Sequence, residues 1–158
     1  MKKVEAISLF EKHFNSTLTK FNLKLSSVES NKHDFSGKFL SDKVGIYFIY
    51  EFRESVPLIQ ISLLTTFDIK LRPGLYTLIE MYKDPKFVMQ SFYLDEILSY
   101  KDIIYRDYFK NAKSIEDCID ISSELIKAYA VDFVSGNLSS YSALNDWLKI
   151  KVNNHIIS

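Results

Sequence analysis

An α+β fold is expected from two changes of period along the chain. Apolar residues recur every three or four positions up to Phe21, alternate singly through the next forty or so, and return to helical spacing in the last third. The alternating runs are divided by short polar turns, which suits an antiparallel meander of about four strands, with the C-terminal helices packed on the sheet.

Ile7, Phe10, Phe14, Leu18 and Phe21 fall on one helical stripe, with Lys12, Asn15 and Lys20 on or near the other side. Phenylalanine at three of these five positions calls for a broad partner, most simply a sheet. Leu23, Leu25 and Ser27 then alternate with Lys24 and Ser26 as a first strand. Beyond the polar turn 30–34, Phe35, Gly37 and Phe39 mark a second, and Ser41-Asp42-Lys43 turns the chain again. Val44, Ile46, Phe48, Tyr50 and Phe52 line one face of a third strand. Its other face carries Tyr47 and Ile49, which predicts a central position. Residues 58–64, after Pro57, read as the fourth strand.

Residues 66–91 carry turn signals at Arg72-Pro73-Gly74 and Lys83-Asp84-Pro85. Residues 75–82 between them suit a short helix or an edge strand, with helix preferred. Residues 92–100 read as a short helix through Leu94, Ile97 and Leu98. Ser114 and Asp117 are spaced like a capping box, with Asp in place of Glu or Gln. Ile115, Cys118, Ser122, Leu125 and Tyr129 form the next stripe, widened by Ile119, Ile126 and Phe133. Gly136-Asn137 reads as a helix stop, and Ser139 or Ser140 as the cap of a last helix with Tyr141, Leu144, Leu148, Val152 and Ile156 on one face. No repeat or linker divides the chain, so one domain over residues 1–158 is expected.

The composition narrows the function classes. Twenty basic residues balance 20 acidic ones, whereas a nucleic-acid binder needs an excess of cations, so no nucleic-acid partner is expected. The longest apolar runs, such as residues 46–50, fall far short of the roughly 20 residues of a membrane span, and Glu5 and Glu11 interrupt the N-terminal region. The single Cys118 cannot form an internal disulfide, which together with the lack of a membrane signal gives a cytoplasmic expectation.

A search for reactive constellations returns little. No serine sits in a glycine-flanked elbow. Cys118 lies on an apolar stripe, as a buried structural thiol does and a reactive thiolate does not. His13, His33 and His155 have no His or Cys partner at metal-ligand spacing and read as surface residues. Gly37, Gly45, Gly74 and Gly136 stand alone, so neither a dinucleotide fingerprint nor a P-loop is present. Tyr47, Phe48, Tyr50 and Phe52 read as core rather than as an RNA-stacking platform. No catalytic residue, metal or cofactor is therefore expected.

Asp117, Asp120 and Glu124 share a helix face at i, i+3 and i+7. A Mg²⁺ site would need facing carboxylates, and the adjacent Asp95-Glu96 point apart. A solvated face that favours the helix dipole is the plain account of the three. The other is a docking face for a basic partner, since residues 95–132 hold nine carboxylates against five bases.

Three stretches resemble small uncharacterised bacterial α+β proteins. They are Val44-Gly45-Ile46-Tyr47-Phe48-Ile49-Tyr50-Glu51-Phe52-Arg53-Glu54, Tyr93-Leu94-Asp95-Glu96-Ile97-Leu98, and residues 125–141 with Ser135-Gly136-Asn137 between two helices. Together they cover under half of the chain. Some such proteins are immunity proteins, which bind and block a cognate toxin. The resemblance implies binding rather than catalysis and transfers no catalytic residue. The expectation is thus a non-catalytic module for a protein partner of basic character. Its contact residues would be Asp117, Asp120 and Glu124, with Glu51, Arg53 and Glu54 as a second group. An enzyme with a motif-less pocket of carboxylates and tyrosines, or a self-associating structural protein such as a homodimer, are the alternatives.

Overall fold

The computed structural model describes residues 1–64 and 71–157, with side chains described through Asn154. Helix α1 spans Lys3–Lys20. Strands β1 (Lys24–Ser30), β2 (Asp34–Leu40), β3 (Val44–Glu51) and β4 (Leu58–Leu63) follow as an antiparallel meander. Helix α2 (Leu75–Met81) precedes a short strand β5 (Ser91–Tyr93), which pairs with β4 and runs directly into α3 (Leu94–Tyr100). A 3-10 turn at Tyr105–Phe109 leads to α4 (Ile115–Tyr129), α5 (Val131–Val134) and α6 (Leu138–Ile157). The fold is α+β, and the sheet is five-stranded in the order β1-β2-β3-β4-β5.

The fifth strand corrects the expected four. Phe92 and Tyr93 belong to β5 rather than to the following helix, because their backbone pairs with Ile61 and Gln60. A strand of three residues has too few alternations to declare itself, and only its neighbour defines it. The central position expected for β3 is observed, as is the helix expected between the turns at 72–74 and 83–85.

Phenylalanines hold α1 to the sheet. The Phe10 ring lies 5.3–6.1 Å from those of Phe14, Phe35, Phe39 and Phe48, and Phe14 stacks on Phe39 at 5.0 Å. All five are fully buried. Each such ring contributes about 1.5–3 kcal/mol through burial, with edge-to-face geometry adding to it. Gly37 makes this approach possible, since a Cβ there would sit 2.7 Å from Phe10 Cε2.

The buried line of α1 is rotated from the expected stripe. Ala6, Phe10, Phe14 and Thr17 are buried, while Ile7, Leu18 and Phe21 are half-buried. The rotation lets α1 rest on α4 as well as on the sheet. Thr17 Oγ1 lies 2.7 Å from Ser123 Oγ, so this seam is polar and does not show as an apolar stripe.

Three smaller expectations are corrected. In β1 the register shifts between Leu25 and Ser27, so Ser27 is exposed and Val28 turns inward; a bulge adds a residue and defeats simple alternation. The stripe through Phe133 is not one helix. The chain breaks at Ala130, and Phe133 on α5 packs against Phe92 and Tyr141 at 6.2 and 5.0 Å. Gly136, at φ 74°, ends α5 as expected. The last helix is capped by Asn137, whose Oδ1 accepts from Ser140 N at 3.2 Å, and not by Ser139 or Ser140. Tyr141, Leu144, Leu148 and Val152 are buried on its inner face, and the Ile156 side chain lies outside the described residues.

The β5–α3 junction holds a buried ion pair. Arg72 and Glu96 pair through two contacts, and the Arg72 guanidinium lies 4.6 Å from the Tyr93 ring centre. Glu96 also accepts from Tyr93 N at 2.9 Å, and Gln60 Oε1 accepts from Arg72 N at 3.2 Å. Asn145 similarly ties α6 to the α2 region, its Oδ1 accepting from Tyr82 OH and Met89 N at 3.0 and 2.8 Å. Among the described residues no helix is long and apolar enough to cross a membrane.

Candidate functional site

The turn joining β3 to β4 stands between two surface clefts. It is tight because Glu54 N donates to Glu51 O and Phe52 N to His33 O, both at 2.9 Å. Its far side is pinned by the Tyr105 hydroxyl, which donates to Pro57 O at 2.7 Å. Desolvation pushes the Tyr105 pKa well above the ordinary phenol range, so that hydroxyl stays neutral and committed to Pro57.

Two clefts open on either side of this clamp. The first, ≈ 360 Å³, has Glu51 and Glu54 from the turn, Asp95 from α3, and Leu58 and Arg106 on its walls. All three carboxylates are exposed, and among the described residues none has a side-chain hydrogen bond or ion pair. Leu58 is exposed as well, at 44%. The second cleft, ≈ 630 Å³, shares Val56 and Arg106 with the first and runs to the start of α4. Cys118 lies in its lining, buried and free, with Sγ 4.0 Å from Ser55 O. Burial pushes the Cys118 thiol pKa up, Asp117 adds to the effect and a hydrogen bond with Tyr50 opposes it, so the thiolate form is disfavoured.

The carboxylates of the expected docking face on α4, Asp117, Asp120 and Glu124, are exposed, yet each makes a contact within the chain. Asp117 Oδ2 accepts from Lys113 N at 2.8 Å, while Asp117 N donates to Ser114 Oγ at 3.1 Å. The capping box is therefore displaced by one residue on one arm, because the shorter Asp reaches Lys113 N. Asp120 Oδ1 lies 3.3 Å from His13 Nδ1, and Glu124 lies 2.6 Å from Lys127 Nζ.

His13 corrects the surface reading. Its side chain is only 13% exposed and lies between Asp120 and Glu116, with Nε2 2.7 Å from Glu116 Oε1. Lys12 reaches the same Glu116 oxygen at 2.8 Å. The Lys12 and His13 contacts hold the Glu116 carboxyl below its usual range. His33 is exposed in its turn, and the His155 side chain lies outside the described residues.

Of the second expected group, Glu51 and Glu54 enter the acid-lined cleft. Arg53 lines an adjoining depression with Lys32, His33 and Asp34, and Glu51 borders both. Asp95 and Arg106 were not singled out from sequence. The one signal available was the adjacency of Asp95 and Glu96. Neighbouring residues on a helix diverge, and here Asp95 turns out to the cleft while Glu96 turns in to Arg72. Among the described residues no group of three or more His, Cys, Asp and Glu side chains is placed to hold a metal ion. Neither a family model, nor a curated protein, nor a solved structure matches the chain.

Proposed function

We propose that the chain is a non-catalytic binding module of the immunity type, which holds a protein partner of basic character and so blocks a toxin in the bacterial cytoplasm. The observation that carries this reading is the convergence of Glu51, Glu54 and Asp95 around the exposed Leu58; among the described residues none of the three holds an ion pair, although Arg106 lines the same cleft. Unpaired carboxylates beside an apolar side chain offer charge for encounter and an apolar contact for retention. The α4 carboxylates contribute to the same field at longer range but are partly neutralised by their own contacts.

For the enzyme alternative, two tyrosines line the acid-lined cleft: the Tyr105 hydroxyl donates to Pro57 O, which leaves Tyr93 as the candidate phenol.

Affinity capture from the native host at low salt tests the proposal. The wild-type chain and the Asp117→Asn/Asp120→Asn/Glu124→Gln variant should retain the same basic partner. The Glu51→Gln/Glu54→Gln/Asp95→Asn variant should lose it, with a tenfold or greater fall in affinity. Equal capture by both variants would assign the binding to another surface.

A further inference from the structure

The second cleft differs in character from the first. Its floor is apolar and aromatic, with Phe52, Phe109 and Cys118, and its rim is cationic, with Arg106, Lys110 and Lys113. Among the described residues no carboxylate lines it. Lys110 is engaged by Asp107 at 2.7 Å. Among the described residues the Arg106 and Lys113 side chains hold no hydrogen bond or ion pair. The start of α4 is not the attraction, because Ser114 and Asp117 already cap one another's turn. Two uncommitted side-chain cations above an apolar floor remain. That pairing matches an anion carried on an apolar body, since desolvation beside the floor strengthens charge-assisted contacts at the rim.

We propose that this cleft receives a carboxylate adjoining a large apolar side chain of the protein partner. The apolar group lies on the Phe52–Phe109–Cys118 floor, and the carboxylate faces Arg106 and Lys113. The inference rests on the binding function above and deepens it. Because the clefts share Val56 and Arg106, one extended partner segment crosses both, with a basic residue in the first and the carboxylate in the second. The partner is then recognised by a neighbouring pair of opposite charges, and Arg106 at the boundary disfavours a segment that is basic throughout.

Fragment titration of the ¹⁵N-labelled chain provides the test. N-acetyl-phenylalanine, its C-terminal amide, and N-acetyl-arginine amide are each added up to about 20 mM, a range that reports millimolar fragment affinities. The acid is expected to shift the backbone amides of Phe109, Lys113 and Cys118 saturably, and the neutral amide to bind at least fivefold more weakly. Either Lys113→Gln or Arg106→Gln should reduce that preference, and both residues are exposed, so both variants should fold. Equal affinity for acid and amide, shifts confined to another surface, or no saturable shift would each overturn the proposal. The arginine amide reports separately through Glu51, Glu54 and Asp95. Its failure alone would remove the basic-partner reading, and failure of the acid alone would remove this one.

Discussion

The chain carries two groups of exposed carboxylates that behave differently in the fold. On α4, Asp117 caps, Asp120 meets His13, and Glu124 meets Lys127. In the cleft beside the β3–β4 turn, Glu51, Glu54 and Asp95 form no ion pair among the described residues, although Arg106 lines the same cleft. Solvent exposure is common to both, so exposure does not distinguish a working carboxylate from an available one. What distinguishes them is whether the chain has already supplied the counter-charge. Carboxylates that hold the fold should lower stability when removed. Carboxylates held in reserve for a partner should cost nothing, because they gain nothing until the partner arrives.

The sharpest contrast is with Glu96, the inward-facing neighbour of Asp95. Glu96→Ala leaves Arg72, itself 3% exposed, as a buried unpaired cation. A loss of about 3–5 kcal/mol is expected in chemical denaturation. Asp95→Ala, one residue away, should leave the midpoint unchanged. If the two variants unfold together, the division between committed and reserved carboxylates does not hold.

Gly37→Ala probes the packing beneath the charged surface. The added methyl would press on Phe10 within a filled aromatic cluster, and a loss of about 1–3 kcal/mol is expected by thermal denaturation. Asp117→Ala should cost about 1 kcal/mol through loss of the cap, the largest effect among the three expected α4 residues. The cleft triple variant Glu51→Gln/Glu54→Gln/Asp95→Asn should instead gain up to about 0.5 kcal/mol, as mutual repulsion is relieved.

The smallest effect concerns pH. The Glu116 carboxyl is held below the ordinary carboxylate range by Lys12 and His13, so the folded state binds its proton less readily than the unfolded chain does. Its contribution is present above the unfolded pKa and is lost as pH falls through the folded one. Wild type and Glu116→Gln should therefore differ in denaturation midpoint at neutral pH and converge in acid. A difference that persists at low pH would mean that the contact acts through packing rather than charge. At the other extreme, burial raises Tyr82 from 10.0 to about 12. The folded chain keeps that proton longer, so stability is full below the unfolded pKa and falls between these two values, which midpoints measured on the alkaline side will register.

Periodicity was a sound guide wherever one face of an element is wholly apolar. Phe10, Phe14, the inward row of β3 and the inner face of α6 were all legible for that reason. It gave less where partners distant in sequence decide the outcome. β5 exists only because β4 pairs with it, and Thr17 is buried only because Ser123 answers it. Arg72 stands in a turn signal, and nothing adjacent to it foretells Glu96. The acid-lined cleft was half legible: Glu51 and Glu54 lie on one turn, whereas Asp95 and Arg106 arrive from elements 40 residues or more along the chain.

Among the described residues the chain-order sheet leaves two unpaired borders, at β1 and β5. Each is defended against strand-to-strand aggregation by a different means. β1 is kinked where its register shifts and shows water a row that includes Lys24, Ser26, Ser27 and Glu29. β5 is three residues long and passes at once into α3, so it offers a neighbouring molecule no run of free backbone. A kinked, charged border and a truncated one are both poor templates for a further strand. Pairing of copies through their sheet borders should therefore be disfavoured, even though 12 phenylalanines and 10 tyrosines pass through the unfolded state during synthesis.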